Sequence, residues 1–235
     1  MVCRPRLTWA LRRVATLPVI VGLGCPAVEL DVDAGRTADA GLVHDAAVDS
    51  GSSSGEWLRN APNADPPTLL APDPGEEGRW AAARLTPSVY PFEVDLVNYT
   101  VGDGEAGDVM CSGTLAHQLR LWVASSSAPP DDQTPALEFS IPTLDPALLG
   151  HLGRSVGQVL DPPLVLEQGQ HLFVAVQLPG SYPDVLCVQV NPTGSYQGDR
   201  NYFSGATAAP YGWAQLDSLG LTGSLLFTAH GQQQP

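Results

Sequence analysis

Short apolar runs separated by turn residues follow one another from about residue 79 onwards. In the first run Phe92, Val94 and Leu96 alternate with Glu93 and Asp95, and a period of two predicts a strand with one buried face. Comparable segments lie at 118–125, 164–166, 171–178, 185–190, 201–203, 212–216 and 224–229. The chain therefore consists largely of short predicted strands after residue 79.

The turns between these runs favour an antiparallel arrangement. Gly102-Asp103-Gly104 and Leu178-Pro179-Gly180 have the composition of tight turns, and strands at this spacing are typical of a sandwich. A helix-like pattern is confined to 145–152, where Pro146 suits a first turn. Because helices and strands do not alternate, an α/β fold is not expected. We predict an all-β, antiparallel, jelly-roll-like β-sandwich over residues 79–232.

Residues 25–78 have a different composition, dominated by Asp, Ala, Gly, Ser and Pro. The stretch 31–54 contains few large apolar side chains and no aromatic one, so it buries too little surface to offset the entropy of ordering it. We predict that 25–78 is a disordered acidic linker. A flexible coil of about 50 residues spans about 40 Å, which would hold a domain clear of a membrane surface.

The first 24 residues have the pattern of a signal peptide. Arg4, Arg6, Arg12 and Arg13 precede an apolar run at 14–24 that is interrupted by a threonine and a proline. This run of about 11 residues is shorter than the roughly 20 that a membrane-spanning helix needs, and it fits an export signal. An uncleaved apolar N-terminus in a cytosolic protein is the weaker alternative.

The apolar run ends in Gly22-Leu23-Gly24-Cys25, which resembles a lipobox with a small residue before the lipidated cysteine. We predict lipidation of Cys25 and a membrane anchor. Cleavage after Ala27 by an ordinary signal peptidase is the alternative. Pro26 stands where some bacteria use Asp as an inner-membrane retention signal, so the outer membrane is favoured over the inner one. A periplasmic or secreted location is the alternative.

Charge limits the partners of the exported chain. All 11 basic residues are arginines, four of which precede Cys25, whereas all 25 acidic residues follow it. So acidic a chain is unsuited to nucleic acid or to anionic lipid headgroups. A glycan or an envelope protein is a more suitable partner.

Two of the four cysteines remain once Cys3 and Cys25 are assigned to the signal peptide and the anchor. An even pair in an exported chain predicts a disulfide between Cys111 and Cys187. Such a bond would contribute about 4.5 kcal/mol through loop-closure entropy. Two buried thiols are the alternative.

Candidate ligand-binding residues are concentrated in the last quarter of the chain. Tyr182, Tyr196, Tyr211 and Trp213 lie near predicted loops, and exposed aromatic rings can stack on sugars. Their alternative role is as core or corner residues of the sandwich, which is the more common one for neighbours such as Tyr202.

The sequence contains only weak candidates for metal binding or catalysis. Asp103, Glu105 and Asp108 place three carboxylates in a Gly-rich loop, a weak calcium candidate because Ca²⁺ takes several oxygen ligands; a solvated turn is the ordinary interpretation. The motif 51–55 matches G-x-S-x-G but lies in the predicted linker, without the strand and helix that a nucleophile elbow requires. We predict no catalytic residue, no resident metal and no cofactor.

Several segments together resemble a β-sandwich accessory domain of secreted myxobacterial-type lipoproteins, of the jelly-roll or pre-peptidase-like kind. The segments are YPFEV at 90–94, Cys111, HQLRLWVASS at 117–126, QGQHLFVAVQL at 168–178, Cys187 and RNYFSGATAAPYGWAQL at 200–216. This resemblance and the lack of a catalytic motif imply a non-enzymatic envelope lipoprotein with a binding or structural role. A carbohydrate-binding module and a secreted hydrolase built on a jelly roll are the alternatives.

Overall fold

A computed structural model of the chain describes residues 55–61, 67–145, 154–192 and 200–234. The predicted signal peptide, Cys25, the linker up to residue 54, Tyr196 and most of the helix-like segment at 145–152 lie outside the described residues. Within the described ranges, no helix has the length and apolar character needed to cross a membrane.

The described residues form 17 strands and one short 3-10 turn at Asp217–Leu219. The strands, numbered in chain order, are β1 Glu56–Arg59, β2 Thr68–Leu70, β3 Trp80–Leu85, β4 Phe92–Gly102, β5 Gly104–Ala106, β6 Val109–Cys111, β7 His117–Ala124, β8 Leu137–Ile141, β9 Arg154–Leu166, β10 His171–Gln177, β11 Gly180–Ser181, β12 Asp184–Val185, β13 Cys187–Asn191, β14 Asn201–Phe203, β15 Ala214–Gln215, β16 Ser224–Leu225 and β17 Phe227–Gln233.

These strands form two large sheets, A and B, and one small sheet. Sheet A has the order β1-β17-β4-β13-β16, with β9 paired to β4 and β2 paired to β13, and sheet B has the order β15-β14-β3-β10-β7-β8. Neighbours in both sheets are antiparallel, and the single parallel pair among the described strands is β12 with β6 in the small sheet. The predicted all-β antiparallel sandwich is therefore confirmed.

The core lies between sheets A and B, where alternate residues of facing strands are buried. Sheet B contributes Leu119 and Leu121 of β7 and Leu172, Val174 and Val176 of β10. Sheet A contributes Phe92, Val94, Val97, Tyr99 and Val101 of β4, with Phe227 and Ala229 of β17. Each large apolar side chain buried here stabilises the fold by about 1.5–3 kcal/mol relative to its exposure.

A β-bulge interrupts the alternation of β4. The pairing of β4 with β9 shifts register between Val94 and Leu96, so that the next buried residue is Val97 rather than Leu96. The predicted inward face of Phe92, Val94 and Leu96 is thus wrong at Leu96, because an extra residue moves the rest of the strand to the other parity. Leu96 therefore lies on the outer side of sheet A, next to Asp95.

A second apolar layer covers the outer face of sheet B. Trp80, Trp122, Phe173 and Tyr202 project from its strands, and Tyr211 packs on them from a loop. Strand β10 is consequently buried on both faces, and this accounts for the nearly continuous apolar run at 171–178.

The folded domain begins earlier than the predicted boundary at residue 79. Strand β1 pairs with the last strand, β17, and Leu58 is buried in the core. Beyond β1, the Nδ2 of buried Asn60 donates to the Oδ1 of Asn201 at 2.5 Å and to the carbonyl of Leu225 at 2.9 Å. Residues 56–59 and 68–70 therefore belong to the sandwich, because these distant contacts supply the burial that the local sequence lacks.

The predicted disulfide is present. Cys111 and Cys187, with Cα atoms 5.3 Å apart, are bonded and join β6 of the small sheet to β13 of sheet A. Val109 and Val185 are buried around the bond. The alternative of two free buried thiols is excluded.

Candidate ligand-binding site

The aromatic residues predicted to bind a ligand do not form one exposed platform. Tyr182 is 43% exposed and lies in the turn between β11 and β12, whereas Tyr211 is only 4% exposed and packs under the loops that cover sheet B. The rings of Tyr211 and Trp213 have centroids 5.3 Å apart, but the indole nitrogen of Trp213 donates to the carbonyl of Pro130 at 3.1 Å. Tyr196 lies outside the described residues.

Tyr211 belongs to a structural cluster centred on Arg120. The guanidinium carbon of Arg120 lies 4.4 Å from the ring centroid of Trp80, and the Nη1 atom donates to the Tyr211 hydroxyl. Its Nη2 atom donates to Glu138 at 2.9 Å. The side chains that could attract a ligand are thus engaged with one another, which agrees with the alternative role of core residues.

Two loops cover this cluster, and hydrogen bonds join them to each other and to the strands beneath. The backbone N–H of Tyr211 donates to the carbonyl of Asp131 at 3.1 Å, and the indole of Trp122 donates to the carbonyl of Gln133 at 3.0 Å. The hydroxyl of Tyr202 donates to the carbonyl of Ser127 at 2.5 Å. These bonds fix 125–136 and 204–213 as a cover for sheet B.

The acidic loop does not assemble into a metal centre. Asp103 accepts a hydrogen bond from the backbone N–H of Gly113 at 2.8 Å, while Glu105 and Asp108 are exposed on β5 and its turn. Among the described residues, no group of three histidine, cysteine or acidic side chains is arranged to hold a metal ion. The carboxylates of Asp103, Glu105 and Asp108 therefore do not converge in this structure.

The histidines at the starts of β7 and β10 are separated by the length of those strands. His117 pairs with Ile141 at one end of β7, and His171 pairs with Ala124 at the other. His171 bonds to Thr86 at 2.9 Å, and burial, with smaller effects of Arg84 and Arg200, lowers its pKa. The two imidazoles do not share a site.

His117 instead forms a buried polar bridge between the sheets. Its Nδ1 lies 2.7 Å from the carbonyl of Leu115, which can only accept, so Nδ1 carries the proton and donates. Its Nε2 then accepts from the Tyr99 hydroxyl at 2.5 Å. Burial lowers the pKa of His117 and raises that of Tyr99, so both groups are neutral and serve the fold.

The outer face of sheet A carries an exposed aromatic residue that the sequence interpretation missed. Trp57 of β1 is 42% exposed. In the strand register it is followed across the sheet by His230, Leu96 and Val159, and paired residues project from the same face of a sheet. We call these four residues the Trp57 row. Val159, at its far end, is 66% exposed.

Charged and polar groups surround the indole of Trp57. The guanidinium carbon of Arg59 lies 5.9 Å from the Trp57 ring centroid. The His230 ring lies 5.0 Å from it, centroid to centroid, tilted by 58°. His230 Nδ1 donates to Asp95 Oδ1 at 2.8 Å. Asp95 lies at the bulge of β4. Its carboxylate is therefore next to the His230 ring, which contacts the Trp57 indole.

This arrangement is held by the strands beneath it. Trp57 and Arg59 project from the same side of β1, because residues two apart share a face, and all four residues of β1 pair with β17. Gly55 allows the close approach of His230, since a Cβ at that position would lie 2.2 Å from Nε2. The site therefore presents a partly exposed indole ring, hydrogen-bond donors and an acceptor on the outer face of sheet A.

Sequence reasoning missed Trp57 because it lies in a stretch assigned to the linker. Its partners come from β4 and from the last strand of the chain, and no local pattern links them. The available signal was the segment Glu56-Trp57-Leu58-Arg59, a short polar-apolar alternation in a region otherwise poor in large side chains.

No family model and no curated protein matches the chain. The structure is similar to that of the cysteine protease and lectin-like domains of Cwp84, a surface layer associated protein of Clostridium difficile, with a TM-score of 0.50 and 9% sequence identity. The similarity covers 78% of this chain and 37% of that one. At this identity it shows a shared fold and nothing more specific.

Proposed function

We propose that this chain is an outer-membrane lipoprotein, anchored through Cys25, whose β-sandwich binds a ligand or partner without catalysis. The observation that carries the binding role is Trp57, a large aromatic side chain exposed on a rigid sheet face and framed by Arg59, His230 and Asp95. The domain resembles the accessory domains of myxobacterial-type lipoproteins, and that assignment is part of the proposal.

A binding role accounts for the exposure of Trp57 better than a purely structural role does. Scattered apolar residues on a surface are ordinary, but indole rings are enriched at the centres of binding sites. The buried aromatic residues of sheet B complete a second apolar layer, whereas Trp57 contributes its ring to the surface. The lectin-like domain of the Cwp84 structure is compatible with a sandwich used for binding.

The hydrolase alternative finds little support in the geometry. His117 bonds to Tyr99 inside the core, His171 bonds to Thr86, and Glu93 accepts from Gln234. These groups do not converge on a single cleft, which a hydrolytic site requires. Among the residues that the structure describes, the carboxylate–imidazole pair of Asp95 and His230 contacts an indole ring.

The anchor is tested by metabolic labelling with radioactive palmitate in a Gram-negative host. We expect the full-length chain to be labelled and to fractionate with the outer membrane, and Cys25→Ala to lose both properties. Cys3→Ala is the matched control and should keep them. Equal labelling of Cys25→Ala and the unaltered chain would show that the anchor is wrong.

The binding role is tested with purified full-length protein carrying Cys25→Ala, which keeps it free of lipid. We expect it to sediment with isolated sacculi or outer-membrane vesicles, and Trp57→Ala to raise the Kd at least about tenfold, a loss of about 1.4 kcal/mol. Tyr182→Ala, which removes another exposed aromatic ring, is the control and should bind normally. If Trp57→Ala bound as well as its parent, the outer face of sheet A would not be the binding site.

A further inference from the structure

We infer that the ligand of the Trp57 row is a neutral oligosaccharide, with one pyranose ring stacked on the Trp57 indole and its hydroxyl groups bonded to Arg59, His230 and Asp95. The inference rests on the proposed binding function and names its ligand class. It is carried by the composition of the site, by its rigidity, by its length and by the charge of the chain.

The composition of the site favours a sugar over a protein partner. The centres of protein interfaces are depleted of carboxylates, because charges must be stripped of water there, whereas arginine is common in them. Here the Asp95 carboxylate bonds to His230, whose ring contacts the indole. A pyranose ring combines both demands, since it presents aliphatic C–H groups on its face and hydroxyl groups around its edge.

The polar groups of the site can donate hydrogen bonds to sugar hydroxyls and accept hydrogen bonds from them. A guanidinium donates, a carboxylate accepts, and a hydroxyl does both. Hydrogen bonds to ionised groups are roughly twice as strong as bonds between neutral groups, so Arg59 and Asp95 can compensate for the water that the hydroxyls lose. His230 bonds to Asp95 through Nδ1 and contacts the Trp57 indole. It therefore holds the Asp95 carboxylate within the site.

Rigidity lowers the cost of binding a small polar ligand. The pairing of β1 with β17 fixes the backbone at Trp57 and Arg59. The bulge of β4 sets the backbone at Asp95, and the hydrogen bond from His230 holds the Asp95 carboxylate. A side chain that is already held in its bound arrangement loses less conformational entropy when the ligand binds.

The dimensions of the Trp57 row favour a chain of sugars over a single ring. The row crosses β1, β17, β4 and β9, and three inter-strand spacings give about 14 Å. Leu96 and Val159 extend the apolar surface beyond the indole. An extended oligosaccharide can therefore lie across the strands, with Trp57 at one end.

Net charge selects a neutral sugar over an acidic one. The chain has 25 acidic and 11 basic residues and a net charge of −14. A surface of this sign repels polyanions at low ionic strength, and Asp95 adds a negative charge at the site itself. Uronic-acid polymers, sulfated glycans and nucleic acids are disfavoured on the same ground.

The test is a glycan array probed with the full-length Cys25→Ala protein, with neutral hexose oligosaccharides and their uronic-acid counterparts side by side. We expect binding to neutral oligosaccharides, a loss of at least about tenfold in Trp57→Ala and a smaller loss in Asp95→Asn. Tyr182→Ala should bind like its parent. Trp57→Phe keeps an aromatic ring and should retain most of the binding.

Intrinsic fluorescence gives a second readout, because Trp57 is one of five tryptophans. The array hits, titrated into the parent protein, should change its fluorescence, and the change should be absent in Trp57→Phe although that variant still binds. Near-UV circular dichroism of each variant confirms that it is folded.

The outcomes separate this inference from the proposed function. Envelope binding that needs Trp57, without any hit among neutral glycans or with hits among acidic glycans only, overturns the inference and leaves the binding role intact. Glycan binding that survives Trp57→Ala places the sugar elsewhere and also overturns the inference. Envelope binding that is indifferent to Trp57→Ala removes the basis of both.

Discussion

At the scale of single residues, burial and hydrogen bonding separate the side chains that serve the fold from those that serve the surface. Tyr99 and His117 are buried and satisfy each other between the two sheets. Trp57, Asp95 and His230 lie on the outer face of sheet A, where His230 contacts both the indole and the carboxylate. The same residue types thus have different roles according to their surroundings.

Removal of the Tyr99 hydroxyl should destabilise the domain. Tyr99→Phe keeps the ring and its packing against Phe227 but leaves Nε2 of His117 without its donor. An unsatisfied buried polar atom costs about 1–3 kcal/mol, so the free energy of unfolding measured in urea should fall by that amount. Tyr182→Phe is the control, because its hydroxyl lies on an exposed turn; no loss in Tyr99→Phe would show that the bridge contributes nothing.

The domain should also lose stability in mild acid. Burial lowers the pKa of His117 below its ordinary 6.5 in the folded state, so the unfolded chain takes up this proton first as the pH falls. The contribution is therefore complete above about pH 6.5 and is lost as the pH falls toward the folded-state pKa.

Urea unfolding at about pH 7.5 and about pH 5.5 measures this effect. The fall in stability between the two values should be smaller in His117→Gln than in the unaltered chain. His171 also has a lowered pKa and contributes with the same sign, so His171→Gln serves to measure its share. Identical pH profiles for His117→Gln and the unaltered chain would contradict the prediction.

At the scale of elements, the first strand decides both where the domain begins and where its exposed aromatic residue lies. Strand β1 has only four residues and follows a sequence typical of disorder, yet it pairs along its whole length with β17. Its inward residue, Leu58, packs in the core, and its outward residues, Trp57 and Arg59, form part of the surface site. This short strand therefore contributes one residue to the core and two residues to the proposed binding surface.

Truncation of Leu58 should confirm that β1 belongs to the domain. Leu58→Ala removes a side chain that is 3% exposed in the core, and core leucine-to-alanine changes cost about 2–5 kcal/mol. Leu42→Ala, within the predicted linker, is the chemically matched control. Thermal or urea unfolding should show a large loss for Leu58→Ala and no change for Leu42→Ala, and equal stability of the two variants would place β1 outside the cooperative unit.

At the scale of the whole molecule, a single covalent link ties the small sheet to sheet A. The disulfide joins residues 76 apart in sequence, and a closed loop of that length restricts the unfolded chain far more than it restricts the folded one. Removal of the bond should lower the free energy of unfolding by about 4–5 kcal/mol in the chain-entropy model.

The double variant Cys111→Ala, Cys187→Ala tests this value against the unaltered chain in urea, with Cys3→Ala as the control. Treatment with a thiol reductant should lower the stability of the unaltered chain and leave the double variant unchanged. A double variant as stable as its parent would mean that the loop-entropy term is offset within the fold.

The sequence by itself determined the class of fold and the disulfide. Alternation along β4 and β7 and the apolar run of β10 are local signals, and each is set by which side chains a strand must bury. The pairing of Cys111 with Cys187 followed from a count of cysteines, once Cys3 and Cys25 had been assigned to a predicted export signal and a predicted anchor. These features need no knowledge of which strands become neighbours.

The tertiary structure alone decided where the site lies. Leu96 reaches the outer face because a bulge changes the parity of β4, and Trp57 meets His230 because the first strand pairs with the last. Tyr211, predicted as exposed, is buried because two loops close over sheet B. Such contacts join residues far apart in the chain, and local patterns carry no information about them, so the residues of the outer face of sheet A come together only when the strands assemble.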